Sequence, residues 1–172
     1  MIRAELEQQF DALLAAHGRS LGRLAASYAR GGAEHDDLFQ DIALAIWRAL
    51  PGFRGECSER TFVFRIAHNR GVSYLARRRP PPAGVDDEME LPDRRPNPEQ
   101  ALSAGEQSDR LARAVQRLPI AHRQVVTLAL EGLPYAEIAD VLGISDSNVG
   151  ARLTRARHML RELLRNANVT RS

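Results

Sequence analysis

The chain of 172 residues holds a single cysteine, no lysine, and only 5% aromatic residues. The lone Cys57 excludes an internal disulfide and any cysteine-based zinc cluster. A loop cysteine can act as a redox sensor, but a lone one is far more often incidental. All 24 basic residues are arginine. Arginine suits bidentate contacts to phosphate and guanine, yet codon usage in a GC-rich genome explains a total absence of lysine, so no function is drawn from it. No apolar run approaches a membrane span, and the opening MIRAELEQQF carries acids where a signal peptide needs an apolar core. Residence in the cytoplasm without membrane insertion is therefore expected. A Gly-rich phosphate loop, a nucleophile motif and a cysteine–histidine pair are also missing from the sequence. The densest set of potential metal ligands is Glu34, His35, Asp36, Asp37 and Asp41. These spread around an expected helix start, where capping and the helix dipole already account for acids. The chain is expected to be no enzyme and to need no metal or cofactor.

What remains is ordinary in bulk and unusual in distribution. Hydrophobic content of 44% and charged content of 27% fit a globular protein. The net charge of +2 conceals segregation: residues 1–79 sum to +3, residues 80–109 to −6, and residues 110–172 to +5. The acidic stretch holds six of the nine prolines, few large apolar residues and no periodicity. It cannot pack a core and reads as a flexible linker. The expected layout is an N-terminal domain over 1–79, an acidic Pro-rich linker over 80–107, and a C-terminal domain over 108–172.

Both domains read as helical, giving an all-α fold. In the first, Ile2, Leu6, Phe10, Leu13 and Leu14 mark one helix, and Leu21, Leu24, Ala25 and Tyr28 a second, stopped by Gly31-Gly32. Asp36 or His35 caps a third, with Leu38, Ile42, Ala45, Ile46 and Ala49 inward and Pro51-Gly52 at its end. Ser58 can cap a fourth, with Phe62, Ile66, Ala67 and Tyr74 inward and Arg77-Arg78-Arg79 closing it favourably for the dipole. In the second domain, helices over 111–118 and 121–131 precede the most informative stretch.

Residues 135–160, YAEIADVLGISDSNVGARLTRARHML, read as a helix-turn-helix. Ile138, Ala139, Val141 and Leu142 give a short amphipathic helix. Gly143 suits a left-handed turn residue, and Ser145 an N-cap. The next helix turns Val149, Leu153, Ala156, Leu160 and Leu163 inward, and Ser147, Asn148, Arg152, Thr154, Arg155 and Arg157 outward. Such a polar, arginine-bearing face fits a DNA major groove. A solvated helix hairpin has the same pattern, as does an ordinary helix-turn-helix regulator with a ligand-sensing domain. Regulators of that kind dimerise across two half-sites. No leucine-rich dimer helix is evident here, and a monomer is expected.

The order of segments resembles a bacterial RNA polymerase sigma factor of the extracytoplasmic-function (ECF) type, built from sigma domains 2 and 4. DDLFQDIALAIWRAL resembles region 2.2, FRGECSERTFVFRIAHNRGVSYLARRR regions 2.3 and 2.4, and LPIAHRQVVTLALEGLPYAEIADVLGIS with NVGARLTRARHML region 4. The resemblance implies an initiation factor that binds core RNA polymerase, recognises −35 and −10 promoter elements and promotes melting. Relatives are often held by an anti-sigma factor.

By the same resemblance, Asp37, Gln40 and Asp41 fall where the family contacts the polymerase clamp. Asp37 and Asp41, one turn apart, also read as a solvated face with slight mutual repulsion. Arg54, Gly55, Glu56, Cys57 and Ser58 occupy the loop that captures a flipped −10 base, while Phe62, Arg65, His68 and Asn69 face the displaced strand. Polar edges, apolar walls and nearby cations are what unpaired bases need. By helical phase Phe62 is equally a core residue, whereas Arg65 and His68 are expected outward. The −35 contacts fall on Ser147, Asn148, Arg152, Thr154 and Arg155. Thr154 and Arg155 are assigned to bases, and Asn148 and Arg152 to phosphate. Glu59, Phe62, Ser73, Pro134, Gly150 and Ala151 depart from the common pattern, and Glu59, Ser73, Gly150 and Ala151 bear on base preference. The linker acids read either as a polyanion mimic drawn into the polymerase RNA channel or as a solvated spacer.

Overall fold

A computed structural model describes residues 2–29, 31–78 and 104–170, and the described residues contain no strand. Among the described residues seven α-helices follow one another: α1 (Arg3–Ala26), α2 (Gly32–Ala49), α3 (Glu59–Arg78), α4 (Ala104–Gln116), α5 (Ile120–Leu130), α6 (Tyr135–Leu142) and α7 (Asp146–Val169). A 3-10 turn, Leu50–Gly52, closes α2 at its proline. The linker acids Asp86, Asp87, Glu88, Glu90 and Asp93 lie outside the described residues. Helix α4 starts at Ala104, four residues inside the stretch expected as linker.

The first two expected helices are one. Helix α1 runs unbroken through Gly18 and Gly22, burying Leu13, Leu21, Leu24 and Ala25. Glycine inside a helix costs about 1 kcal/mol against alanine, which the burial of three leucines outweighs, at roughly 1.5–3 kcal/mol each. The start of α2 also differs from the expected cap. Gly31 is the N-cap residue and Gly32 the first helical residue, because the His35 amide already donates to the Gly31 carbonyl at 2.7 Å. The His35 ring turns back instead and its Nε2 lies 2.8 Å from the Gly22 carbonyl oxygen. Leu38, Ile42, Ala45 and Ile46 are buried as expected.

Ser58 does cap α3, its Oγ accepting from the Thr61 amide at 3.0 Å. The buried stripe of α3 is displaced from the expected one, however, and consists of Thr61, Val63, Phe64, Ala67 and Gly71. Phe62, Ile66 and Tyr74 are only half-buried. The reason is that α3 meets three neighbours, α1, α2 and α6, so its core face is wider than a single amphipathic stripe.

In the C-terminal half, Gly143 ends α6 with φ +69°, and the Ser145 Oγ accepts from the Asn148 amide at 3.2 Å to start α7. Ala139 is buried in the crossing, and Val149, Leu153 and Ala156 form the inner face of α7. Leu160 and Leu163 sit half-buried beyond them. Pro134 stands at the N-cap of α6, one residue before the helix, where its missing N–H costs nothing.

The two halves touch. Buried residues of α1, α2 and α3 form one contiguous apolar cluster with those of α5, α6 and α7. Helix α6 lies on α3, and α5 on the end of α1.

Candidate polymerase and nucleic-acid interfaces

On α2, Asp37 and Gln40 are exposed and Asp41 is half-buried. Asp41 is not a bare carboxylate repelling Asp37. Its Oδ2 lies 4.0 Å from both Arg70 and Arg77, which reach across from α3. The sequence missed these partners because they are near only through the packing of two helices. Leu44, one turn beyond Gln40, is 45% exposed and extends the strip with an apolar end. Positions 37, 40, 41 and 44 share one helix face. The resulting surface joins one exposed acid, one amide and one leucine.

The potential metal ligands at the start of α2 diverge. Glu34 accepts from Tyr74 Oη at 2.8 Å and pairs with Arg78. The Tyr74 hydroxyl, then Arg78, hold its carboxyl below the ordinary value. His35 is committed to Gly22 and Asp41 to two arginines. Among the described residues no set of three or more His, Cys, Asp or Glu is placed to hold a metal ion.

The loop between α2 and α3 bends at Gly55, whose φ is +72°. Arg54 is exposed and Cys57 half-buried. The Ser58 hydroxyl is engaged as the helix cap and also donates to Thr61 Oγ1 at 3.0 Å. Phe62 stacks on Phe53, with ring centroids 4.3 Å apart and planes 27° apart. This pair forms a half-buried aromatic wall beside Arg54. Phe53 went unremarked in the sequence because it sits in a loop without periodicity.

Arg65 and Asn69 are exposed one turn apart on α3, with Val72, Ser73 and Ala76 continuing the same face. His68 departs from them. Rather than facing outward, its Nδ1 lies 2.8 Å from the Tyr28 hydroxyl, and burial pushes its pKa down. Tyr28 in turn accepts from Gln124 Nε2 at 3.3 Å, so its own proton is available to the imidazole. Burial holds the Tyr28 phenol protonated far above its usual range. Of the four expected strand-facing residues, the structure groups Arg65 and Asn69, places Phe62 in the aromatic wall, and turns His68 inward onto Tyr28 of its own domain.

On α7, Ser147, Asn148, Thr154 and Arg155 are exposed and Arg152 is half-buried. Thr154 is exposed, and its Oγ1 donates to the Gly150 carbonyl at 2.9 Å. Gly150 and Ala151 add almost no side chain, so the face has a shallow centre flanked by Asn148 and the two arginines. A Cβ on Gly150 would meet Tyr135 at an ordinary 3.5 Å. His122, at the start of α5, belongs to this neighbourhood. Its pKa is lowered by burial and then by the positive charges of Arg152 and Arg155. Nothing in the local sequence marked it, since α5 and α7 meet only in the fold.

Comparison with known proteins decides the family. Residues 13–80 match the model of sigma-70 region 2, and residues 108–160 that of sigma-70 region 4. The RNA polymerase sigma factor NccH of Alcaligenes xylosoxydans is 32% identical over 165 residues, covering 93% of this chain and 89% of NccH. The chain belongs to the ECF family of RNA polymerase sigma factors. The ECF sigma factor SigM of Mycobacterium tuberculosis is 32% identical over 157 residues, covering 90% of this chain and 76% of SigM. Among solved structures, CnrH in complex with the cytosolic domain of CnrY aligns with a TM-score of 0.67 and 28% identity, covering 93% of this chain and 90% of CnrH. The helix order described above is thus that of a two-domain ECF sigma factor, with region 2 in α1–α3 and region 4 in α4–α7. Among the described residues no helix is long and apolar enough to cross a membrane.

Proposed function

We propose that this transcription initiation factor binds core RNA polymerase through Asp37, Gln40 and Asp41, reads a −35 duplex with α7, and engages the parted −10 strand with α3 and its preceding loop. Its work is recognition rather than catalysis, carried out in the cytoplasm where polymerase acts. The observation that carries the reading is the outward face of α7. Ser147, Asn148, Thr154 and Arg155 stand exposed on a capped helix behind a tight turn, the shape and chemistry a major groove accepts. The exposed pair Arg65 and Asn69 supplies a cation and an amide for an unpaired strand, beside the Phe53–Phe62 wall. Arg54 and Cys57 line the loop entrance, and Ser58 contributes by fixing the start of α3. The domain limits 1–79 and 108–172 follow the same division of labour, and the related CnrH–CnrY complex supports a restraining protein partner for this chain too.

The test is selection from a randomised promoter library by this protein with core polymerase, read by sequencing of transcribed templates. Two enriched elements separated by a fixed spacer are expected. Enrichment of a single palindromic element, without need for core polymerase, would overturn the reading.

A further inference from the structure

We propose that His122 is a further DNA contact, closing with Arg152 a clamp on one backbone phosphate beside the base pair that Arg155 reads. The proposal deepens the reading of α7 given above and rests on it.

Helix α5 lies against α7, and His122 in its first turn stands beside the row of Asn148, Arg152 and Arg155. Spacings of four and three put that row on one face of α7. The His122 ring is half-buried, and its Nδ1 is shielded from solvent with no hydrogen-bond partner. Among the described residues Nε2 has no partner either, and it is the ring nitrogen that solvent reaches. Arg152 is half-buried too, and neither it nor Arg155 is paired with an acid among the described residues. An arginine cannot shed its charge, so one drawn partly out of water without a carboxylate gains most from an arriving anion. The first turn of α5 holds no acid to compete. Glu131 and Glu137, beyond its other end, are engaged by Arg23 and Arg60. Arg123, the neighbour of His122, is turned away and donates to the Ser27 and Leu118 carbonyls. Helices α1, α4, α6 and α7 all pack on α5, but among the described residues only α7 brings charge to bear on His122, through Arg152 and Arg155.

A phosphate is the group that these side chains can share. Its oxygens accept the guanidinium fork of Arg152 and a single N–H from His122 Nε2. Burial, then the two arginines, hold the free imidazole neutral to a lower pH than usual. A phosphate between them reverses the balance, because its negative charge favours the protonated ring. Docking therefore takes up a proton. Affinity for duplex is lowest above the pKa of the bound state, rises as the pH falls through it, and levels off below the lowered value of the free chain. Phosphate contacts carry no sequence information, so the gain applies to all duplexes alike, unlike the gain from Arg155.

The test uses the full chain assembled with core polymerase, on a duplex promoter from the library selection, in the cold so that the strands stay paired. Between about pH 8 and about pH 6, wild-type affinity should rise about fivefold relative to that of His122→Gln. The wild-type salt slope should steepen by about 1 over the same interval, while that of His122→Gln stays fixed. His122→Arg, charged throughout, should bind at the higher pH as tightly as wild type does at the lower. Lost packing alone would lower affinity at both pH values and leave the profile in place. A wild-type profile in His122→Gln would therefore overturn the clamp, as would His122→Arg binding no tighter than wild type at the higher pH. Arg152→Ala and Arg155→Ala, measured alongside, separate the two levels. If neither weakens duplex binding, the reading of α7 itself fails; if both do while the His122→Gln profile matches wild type, the clamp alone fails.

Discussion

Gly71 and Tyr28 are so close that a Cβ on the glycine would lie 2.4 Å from the Tyr28 ring. The ring is 4% exposed and cannot swing away without breaking the His68 and Gln124 bonds at its hydroxyl. Gly71 is therefore the point at which α3 admits the end of α1. Gly71→Ala should destabilise the protein by about 1–3 kcal/mol through overpacking. The urea midpoint of the variant checks this, and an unchanged midpoint would mean that Tyr28 has room the geometry does not show.

The same hub sets a pH dependence. Burial lowers the His68 pKa below its ordinary 6.5, so the folded protein holds the imidazole neutral and the unfolded chain takes up the proton first. Stability is then full above about pH 6.5 and falls as the pH drops toward the lowered folded value. His122 shifts in the same direction and adds to the loss. Glu34 and Glu131, whose values are depressed, act only in the carboxylate range below about pH 4.5. His68→Gln should shrink the difference between urea midpoints at about pH 7.5 and about pH 5.5. A difference as large as that of wild type would remove His68 from the account.

Asp37 offers a cleaner probe of polymerase binding than Asp41. Reversal at Asp41 would place a third arginine against Arg70 and Arg77 and disturb the α2–α3 packing. Asp37→Arg alters an exposed carboxylate instead. It should weaken co-purification with core polymerase while leaving the unfolding free energy within about 0.5 kcal/mol of wild type. Undiminished co-purification at physiological salt would count against the α2 surface.

On α7 the exposed Arg155 and the half-buried Arg152 should separate in their effects. Arg155→Ala is expected to cost about 1–3 kcal/mol on the preferred upstream element and to relax preference at one base pair. Arg152→Ala should weaken all sequences alike and reduce the salt slope by about 1. Binding titrations on single-base variants at two salt concentrations distinguish these patterns, and equal losses everywhere would contradict the division.

Legibility in the sequence followed locality. The helix-turn-helix could be read almost residue for residue, since Gly143, Ser145 and the Val149–Leu153–Ala156 stripe act within two adjacent helices. The all-helical class and the Ser58 cap were equally local. The break expected between Leu14 and Leu21 was wrong because tertiary burial overrode two glycines in α1. His68 was misplaced outward because its partner Tyr28 is forty positions away, and Arg70, Arg77 and His122 were missed for the same reason. Closure of the two domains left no trace in composition. Two basic halves gave no hint of it, since the pairs that join them, Arg23–Glu131 and Arg60–Glu137, are isolated acids meeting isolated arginines.

Initiation from pre-melted against fully duplex templates tests the central claim most directly. If α3 meets bases only after the strands part, Asn69→Ala should initiate poorly with core polymerase on duplex promoter. The same variant should recover to near wild-type yield on a template already unpaired across the −10 element. Equal impairment on both templates would contradict the account and move Asn69 from strand engagement to folding or polymerase binding.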